Sequence, residues 1–303
     1  MPIPETMSVL IAASSNPESL TVVSRPVPTP GPGEILVAVR AAAITSDELD
    51  WPETWPAVPG HDVAGTVAAT RSDTDDLAIG EAVMGLVGFD RDGALSQYVA
   101  VRREHLAMAP SSIGLVDAAA LPLGGLTAWQ ALVDHAQLQP GQHVLVHGAA
   151  GGVGGYAVQL AANLGARVTA TCSPRDVDVV HSYGATTVVD YRDPLPDTND
   201  VDVVLDPVGG DVISRSWRVL RAGGILISVA EEPQTPAGSD ATGRYFVVEP
   251  NGDQLTHLAS LVDQGALRPV IAHVLPFAKA KAAFETPNER RSGKTIVQID
   301  TAT

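Results

Sequence analysis

A glycine-rich turn between an apolar run and a helical pattern is the stretch best suited to chemistry. Residues 144–146 are Val-Leu-Val, the next nine are His-Gly-Ala-Ala-Gly-Gly-Val-Gly-Gly, and a helical period of apolar side chains follows. In a strand–turn–helix unit, the N–H groups of such a turn and the positive end of the helix bind a pyrophosphate, and small residues let the phosphates reach the backbone. A plain tight turn is the alternative. The flanking strand and helix favour a dinucleotide-binding unit, with contacts at Ala149, Ala150, Gly151, Gly152 and Val153.

The residues after the next predicted strand, 167–172, bear on the choice of nicotinamide cofactor. An NAD-binding site places a carboxylate at this strand end to bind the ribose hydroxyls. Here the strand is followed by Ser173, Pro174 and Arg175, and a guanidinium can hold a 2′-phosphate with two hydrogen bonds. The sequence therefore predicts NADPH. Two observations weigh against it: Arg175 is also typical of a solvated helix start, and an acid, Asp176, lies beside it.

Composition limits the classes of partner. The chain has 303 residues, 45% of them hydrophobic, and a formal net charge of −16. This charge argues against nucleic acid or an anionic membrane surface as a partner, and no apolar run reaches membrane-spanning length. The single cysteine, Cys172, excludes a disulfide framework and a four-cysteine zinc site. No signal peptide is visible at the N-terminus, so we expect a cytoplasmic protein.

Two parts of different character position these residues. Residues 1–117 contain short alternating or apolar runs separated by glycine and proline, which predicts a barrel-like β domain. From residue 118 strands and helices alternate, which predicts a doubly wound parallel sheet. The predicted strands are 7–12, 20–24, 34–43, 63–69, 82–87, 94–101, 144–146, 167–172, 187–190, 201–205, 224–229, 244–248 and 294–299. The predicted helices are 118–132, with a break at its proline, 176–183, 214–220, 254–263 and 278–284.

Eight segments, in order along nearly the whole chain, carry a family resemblance. They resemble the zinc-independent branch of the medium-chain dehydrogenase/reductase superfamily, the quinone oxidoreductase or zeta-crystallin type. The segments are Pro30-Gly-Pro-Gly-Glu-Ile-Leu-Val, Pro59-Gly-His-Asp-Val-Ala-Gly, Leu121-Pro-Leu-Gly-Gly-Leu-Thr-Ala-Trp, Leu145-Val-His-Gly-Ala-Ala-Gly-Gly-Val-Gly, Tyr183-Gly-Ala, Val189-Asp-Tyr-Arg, Asp202-Val-Val-Leu-Asp-Pro-Val-Gly-Gly and Gly293-Lys-Thr-Ile-Val.

The resemblance implies an α/β chain with two domains. A β-rich, GroES-like catalytic domain comprises residues 1–117 and 267–303, and a Rossmann domain with a doubly wound parallel sheet comprises residues 118–266. It also implies a homodimer, or else a tetramer, and hydride transfer from NADPH. The resemblance further implies that Tyr191 contacts the 2′-phosphate, that Thr127 faces the nicotinamide, and that the ring is flanked by Val229, Ala230, Phe246 and Val248.

Zinc-binding members of this superfamily carry a cysteine ligand and then a Gly-His-Glu segment. In this chain the first ligand position falls at Thr45 or Ser46, and His61 with Asp62 is half a site, so we predict no metal. Without a Lewis acid, the expected acceptor is a small molecule whose own conjugation accepts hydride, such as a quinone or an enone.

The substrate side is less defined by the sequence. Thr45, Glu48, Trp51 and Tyr98 are candidates to line the pocket, although Trp51 can equally anchor a loop and Tyr98 can be a core tyrosine. Besides a reductase of quinones or activated C=C bonds, two alternatives remain open. One is a biosynthetic, polyketide-tailoring enoyl reductase, and the other is an NADPH-binding protein with low turnover.

Overall fold

The structure is a computed structural model that describes residues 2–71, 74, 76–195, 199–285 and 292–299. Numbered along the chain, the strands are β1 Thr6–Ile11, β2 Thr21–Pro26, β3 Glu34–Ile44, β4 Asp62–Ala69, β5 Ala82–Leu86, β6 Tyr98–Arg102, β7 Leu106–Met108, β8 His143–Val146, β9 Arg167–Cys172, β10 Thr187–Asp190, β11 Val201–Asp206, β12 Leu220–Ser228, β13 Thr242–Tyr245, β14 Ile271–Pro276 and β15 Lys294–Gln298. The α-helices are α1 Leu115–Ala118, α2 Pro122–Trp129, α3 Gly154–Asn163, α4 Val177–Ser182, α5 Asp211–Ser216, α6 Gly252–Asp263 and α7 Ala282–Glu285.

The chain forms two compact units. The first comprises Met1–Leu123, Pro250–Gly265 and Ile271–Thr303, and the second comprises Gly124–Glu249 and Ala266–Val270. Helix α6 therefore groups with the β-rich unit, whereas the predicted boundaries placed it in the second domain. The physical reason is close packing: a Cβ on Gly252 would lie 2.5 Å from the Leu106 carbonyl oxygen and 2.8 Å from that of Glu104.

The β-rich unit is built on a mostly antiparallel sheet. Its described strands follow the order β14-β15-β3-β4-β5-β7, and β6 pairs with β3. The inward residues of β3 and β4, such as Ile35, Val37 and Val63, are fully buried in one hydrophobic core. β15 pairs with β3 and β3 with β4, so the carboxyl end of β3 lies between the amino ends of two strands. This arrangement is what positions the polar cluster described below.

The second unit contains a parallel sheet whose described strands follow the order β10-β9-β8-β11-β12-β13. Every neighbouring pair in it is parallel. The central strand β8 is buried at all four residues, as a strand covered on both faces must be. The order is the one in which dinucleotides bind at the switch point between the first and fourth strands, here β8 and β11. The predicted fold class is confirmed.

Some predicted elements differ in extent or type. The run 94–101 becomes a strand only at Tyr98, because the N–H groups of Ala94 and Leu95 bond to the carbonyls of Gly60 and Pro59 instead. The helix predicted over 118–132 is broken at its proline as expected, with α1 ending at Ala118 and α2 beginning at Pro122, but after α2 the chain continues as a π-helix over Gln130–His135. The predicted helix 214–220 is Asp211–Ser216, since β12 already begins at Leu220. No helix among the described residues is both long and apolar enough to cross a membrane.

Candidate active site

The glycine loop after β8 is a compact turn held by backbone hydrogen bonds. The Gly151 N–H bonds to the Gly148 carbonyl at 2.8 Å, and the Ala149 N–H bonds to the Thr171 carbonyl of β9 at 2.9 Å. Gly148 has a φ of +56°, in the left-handed region that favours glycine. A Cβ on Gly154 would collide with the Gly148 carbonyl. Val153 precedes α3 and has no capping side chain to offer, so the loop and helix start fit a pyrophosphate.

His147, which directly precedes this loop, is held by two side-chain hydrogen bonds. Its Nε2 lies 2.8 Å from Ser216 Oγ and its Nδ1 lies 3.0 Å from Thr171 Oγ1. The Ser216 hydroxyl donates its own hydrogen to the Val212 carbonyl, so it must accept from Nε2–H, and Nδ1 then accepts from Thr171. Burial, with a smaller effect of Arg215, lowers the pKa of His147 to about 3. The imidazole is therefore neutral, and its two hydrogen bonds connect the end of β8 to β9 and to α5.

The carboxyl edge of the parallel sheet gathers most of the predicted cofactor residues. Parallel strands end at the same edge, and the glycine loop follows β8, Ser173 follows β9, Tyr191 follows β10, Val229 follows β12 and Phe246 follows β13. The Tyr191 N–H bonds to the Cys172 carbonyl at 3.1 Å, which joins the ends of β9 and β10. The topology thus brings residues from five strands to one edge.

The predicted phosphate-binding residues lie on the β9–β10 side of this edge. The Arg175 side chain is 64% exposed, while that of Asp176 is 13% exposed and lies 3.6 Å from Arg175 Nε. Sequence reasoning missed two further arginines here. Arg192 binds Asp190 with two nitrogens, at 3.0 and 2.6 Å, and Arg215 donates to the Tyr191 carbonyl at 3.2 Å. Arg192 stood within the quoted Val-Asp-Tyr-Arg segment, whereas no local pattern marked Arg215.

The residues predicted to surround the nicotinamide have different environments. Thr127 is buried on α2, which packs so closely on the glycine loop that a Cβ on Gly124 would collide with the Gly152 carbonyl. The Phe246 ring contacts His135 of the π-helix in a tilted arrangement, with ring centroids 4.4 Å apart and an interplanar angle of 50°. The remaining three predicted contacts range from buried to exposed: Val248 is buried, Val229 half-buried and Ala230 exposed.

Glu48 is the centre of a buried network in the β-rich unit. One carboxylate oxygen accepts the N–H groups of Gly60 and His61, at 2.6 and 3.0 Å, and the other accepts the Thr45 N–H at 3.0 Å. Burial raises the pKa of Glu48, and His61 and the N–H donors oppose that rise. Glu48 therefore holds the loop after β3 against the turn before β4.

A second buried network adjoins the first. Lys294 Nζ lies 2.8 Å from Asp62 Oδ2 and 2.8 Å from Thr45 Oγ1. The other oxygen of Asp62 accepts the Leu123 N–H at 2.5 Å. Burial raises the pKa of the Asp62 carboxyl, and the Lys294 ammonium opposes that rise. Sequence reasoning missed Lys294 as a site residue, because it lies 249 positions from Thr45.

The structure does not bring Tyr98 together with Thr45 and Glu48. Tyr98 is paired with Ala38, seven residues before Thr45 on β3, or roughly 20 Å along the strand. Its half-buried ring packs against the hydrophobic core of the β-rich unit. Trp51 instead lies near His61 and Phe89, with ring centroids 6.2 and 5.5 Å away.

Comparison with known proteins places this geometry in a family. Residues 31–111 match the family described as "Alcohol dehydrogenase GroES-like domain", and residues 183–297 match "Zinc-binding dehydrogenase". The chain is 30% identical to the Triphysaria versicolor protein "Quinone-oxidoreductase QR1, chloroplastic", over 90% of this chain and 92% of that one. It belongs to the quinone oxidoreductase family of medium-chain dehydrogenases/reductases.

Two further comparisons agree with this membership. The Arabidopsis thaliana "NADPH-dependent alkenal/one oxidoreductase, chloroplastic" is 34% identical over 80% of this chain and 64% of its own length. The solved quinone oxidoreductase from Coxiella burnetii superposes with a TM-score of 0.87, at 27% identity, over 97% of this chain and all of that one. As a member of the family, the chain is an oxidoreductase that binds a nicotinamide cofactor.

The name of one matched family raises the question of zinc. His61 Nδ1 lies 3.1 Å from the Val87 carbonyl, so Nδ1 carries a hydrogen, and Nε2 lies 4.0 Å from Glu48. Within the described ranges, no group of three or more His, Cys, Asp or Glu residues is arranged to hold a metal ion. The donor set around His61 is therefore that of a hydrogen-bonded network.

Proposed function

We propose that this quinone oxidoreductase family member is a metal-independent reductase that uses NADPH to reduce quinones or enones. The observation that carries the choice of NADPH is the end of β9, where a hydroxyl and an exposed guanidinium stand in place of the acid that an NAD site needs. The neighbouring acid, Asp176, is mostly buried, so its charge does not dominate that surface. Arg215 adds positive charge nearby, whereas the charge of Arg192 is balanced by Asp190.

The proposed substrate class rests on two supports. The matched relatives and solved structure are named for quinones and for alkenals or enones. Such acceptors take up hydride through their own conjugation, so they require no Lewis acid. The residue at the expected first ligand position, Thr45, accepts a hydrogen bond from Lys294 and is a poor zinc ligand. Both observations favour a reductase that works without metal.

Each part of the chain has a distinct role in this proposal. The glycine loop binds the pyrophosphate, Arg175 and Tyr191 bind the 2′-phosphate, and Thr127, Phe246 and Val248 flank the nicotinamide, which supplies the hydride when bound. Thr45 and Glu48 belong to the substrate side. His147 is neutral at pH values well above its pKa of about 3, and its hydrogen bonds hold the start of the loop.

The test is a comparison of cofactor affinity in Arg175→Ala and in a matched control. A charge-assisted hydrogen bond contributes about 1.5–3 kcal/mol, and we take the lower end because Arg175 is mostly exposed. Calorimetry should show NADPH binding weakened about tenfold, with NADH binding unchanged. Arg218→Ala removes an exposed arginine two residues before the amino end of β12, at the opposite edge, and should affect neither cofactor. Equal losses for both cofactors in Arg175→Ala would refute the assignment of NADPH.

A further inference from the structure

The side chains of Thr45, Lys294 and Asp62 form a relay across three adjacent strands. Thr45 directly follows β3, while Asp62 begins β4 and Lys294 begins β15. Because Ala43 pairs with Asp62 and Ile44 with Thr295, the three side chains meet at one end of the sheet. The ammonium lies 2.8 Å from both the Asp62 carboxylate and the Thr45 hydroxyl.

The burial of this relay shows that it is not a surface ion pair. The Lys294 and Asp62 side chains are 5% and 1% exposed. Removing two charges from water is costly, and replacing such a pair with apolar residues is often neutral or stabilising. Stability alone is therefore a weak reason for its presence. The carboxylate neutralises the ammonium, and the ammonium is left with a hydroxyl as its second acceptor.

Thr45 is the one partly exposed member of the relay. Thr45 is half-buried, whereas Lys294 and Asp62 are buried. Its oxygen accepts from Lys294, and no acceptor for its hydrogen lies among the residues that the structure describes. A hydroxyl that accepts a bond from a cation becomes a stronger donor itself, because chained hydrogen bonds polarise one another. The backbone of Thr45 is fixed as well, by its N–H bond to Glu48.

We propose that the Thr45 hydroxyl, polarised by Lys294 and Asp62, donates a hydrogen bond to the carbonyl oxygen of the substrate. The proposal rests on the reductase activity proposed above. When a hydride adds to the β-carbon of an enone, the C=C electron pair shifts and negative charge develops on the carbonyl oxygen. Thr45 stabilises that charge and keeps its own proton, and water then supplies the proton that completes the saturated ketone. Lys294 and Asp62 act as positioning residues, through Thr45.

The experiment distinguishes the effect of losing the Thr45 hydroxyl from a general effect on the structure. Thr45→Val keeps the shape and removes the donor, and Thr45→Ser restores the donor. Lys294→Met combined with Asp62→Asn removes both buried charges together, so neither is left unpaired. Ser46→Ala, which removes the exposed hydroxyl next in sequence, is the control. Loss of one preorganised donor typically costs 10²–10³ in kcat, and for a half-buried threonine we expect about 10- to 100-fold.

Two readouts are measured on the full chain. First, kcat with cyclohexenone should fall in Thr45→Val and in the double variant, but not in Thr45→Ser or Ser46→Ala, with the NADPH dissociation constant unchanged in all four. Second, infrared difference spectra of carbon-13-labelled cyclohexenone in the unreactive complex with NADP⁺ should show a lowered C=O stretch in the wild type and Thr45→Ser. That shift should be lost in Thr45→Val and the double variant.

The outcomes distinguish this proposal from the one it rests on. If the wild type reduced enones and Thr45→Val matched it in kcat and in C=O stretch, the role of Thr45 would be wrong while the reductase assignment stood. If the wild type reduced neither quinones nor enones, both proposals would fall together. A loss of kcat in Thr45→Val accompanied by an equal loss of NADPH affinity would also overturn the role, since it would indicate a general structural effect.

Discussion

His147 offers the sharpest quantitative prediction, because its environment fixes both a protonation state and a pH window. The imidazole is 2% exposed, donates to Ser216, accepts from Thr171, and directly precedes the glycine loop. Its pKa is about 3 in the folded chain, against about 6.5 for a histidine in the unfolded chain. Between these values the unfolded chain binds a proton that the folded chain does not. The associated stability is therefore present above about pH 6.5 and is lost as the pH falls below it.

The magnitude follows from the two pKa values. At about pH 5 the linkage relation gives a loss of about 2 kcal/mol relative to neutral pH, since each pKa unit is worth about 1.4 kcal/mol. His147→Gln keeps an N–H for Ser216 but cannot take up a proton in this range. Its free energy of unfolding should therefore fall by about 2 kcal/mol less than that of the wild type between pH 7 and about pH 5.

Urea unfolding of the wild type and of His147→Gln is measured at both pH values. Subtracting the change in unfolding free energy of one protein from that of the other cancels the contributions of the other titrating groups. Trp129 and Trp217 make fluorescence sensitive to unfolding of the unit that contains His147, while Trp51 and Trp55 report on the other unit. A parallel NADPH titration shows whether the loop loses affinity over the same pH range. If the wild type and His147→Gln lost the same stability between the two pH values, His147 would not be held neutral in the folded chain, and the hydrogen bonds assigned to it beside the glycine loop would be wrong.

Three further predictions concern the same unit. Gly124→Ala should destabilise the protein by about 1–3 kcal/mol and weaken NADPH binding, because the new methyl group meets the Gly152 carbonyl; thermal unfolding and calorimetry test both effects, and normal binding would contradict the packing. The Cys172 thiol, whose pKa burial raises to about 11, should stay unreactive towards a disulfide reagent at pH 8 until the chain is unfolded, so rapid labelling of the folded protein would contradict its placement. Tyr156→Phe should cost about 1–3 kcal/mol in urea unfolding, since the buried Val270 N–H loses its acceptor at 3.1 Å, and a neutral substitution would show that this N–H finds another partner.

Local patterns predicted the nucleotide-binding half of the molecule well, for physical reasons. A buried parallel strand, a turn of small residues and a helix leave a signature within about twenty contiguous residues, and the alternation of such units determines the sheet. The π-helix at Gln130–His135 was not predicted, because the pattern of side chains in a short segment does not distinguish an α-helix from a π-helix. The predicted boundaries placed helix α6 in the other domain. Its packing brings Gly252 against the carbonyls of Glu104 and Leu106, and no local sequence pattern reveals a contact between segments so far apart.

The substrate side was predicted less completely than the cofactor side. Thr45 and Glu48 could be selected from their position after β3, but their partners could not. Lys294 looks like an ordinary polar residue at the start of the last strand, and only the pairing of β15 with β3 brings it to Thr45. Buried polar networks of this kind depend on contacts between distant segments, and no spacing rule within a single sequence reveals them.

The most direct test of the central claim is a single-turnover measurement on chelator-treated protein. The protein is mixed with one equivalent of NADPH and then, in a stopped-flow instrument, with a quinone or an enone, while the loss of NADPH absorbance is recorded. We predict that each acceptor consumes the NADPH in an amount equal to the hydroquinone or saturated ketone formed, and that added zinc changes neither rate nor yield. NADPH that persists with both acceptors, or turnover that appears only after zinc is restored, would contradict the account.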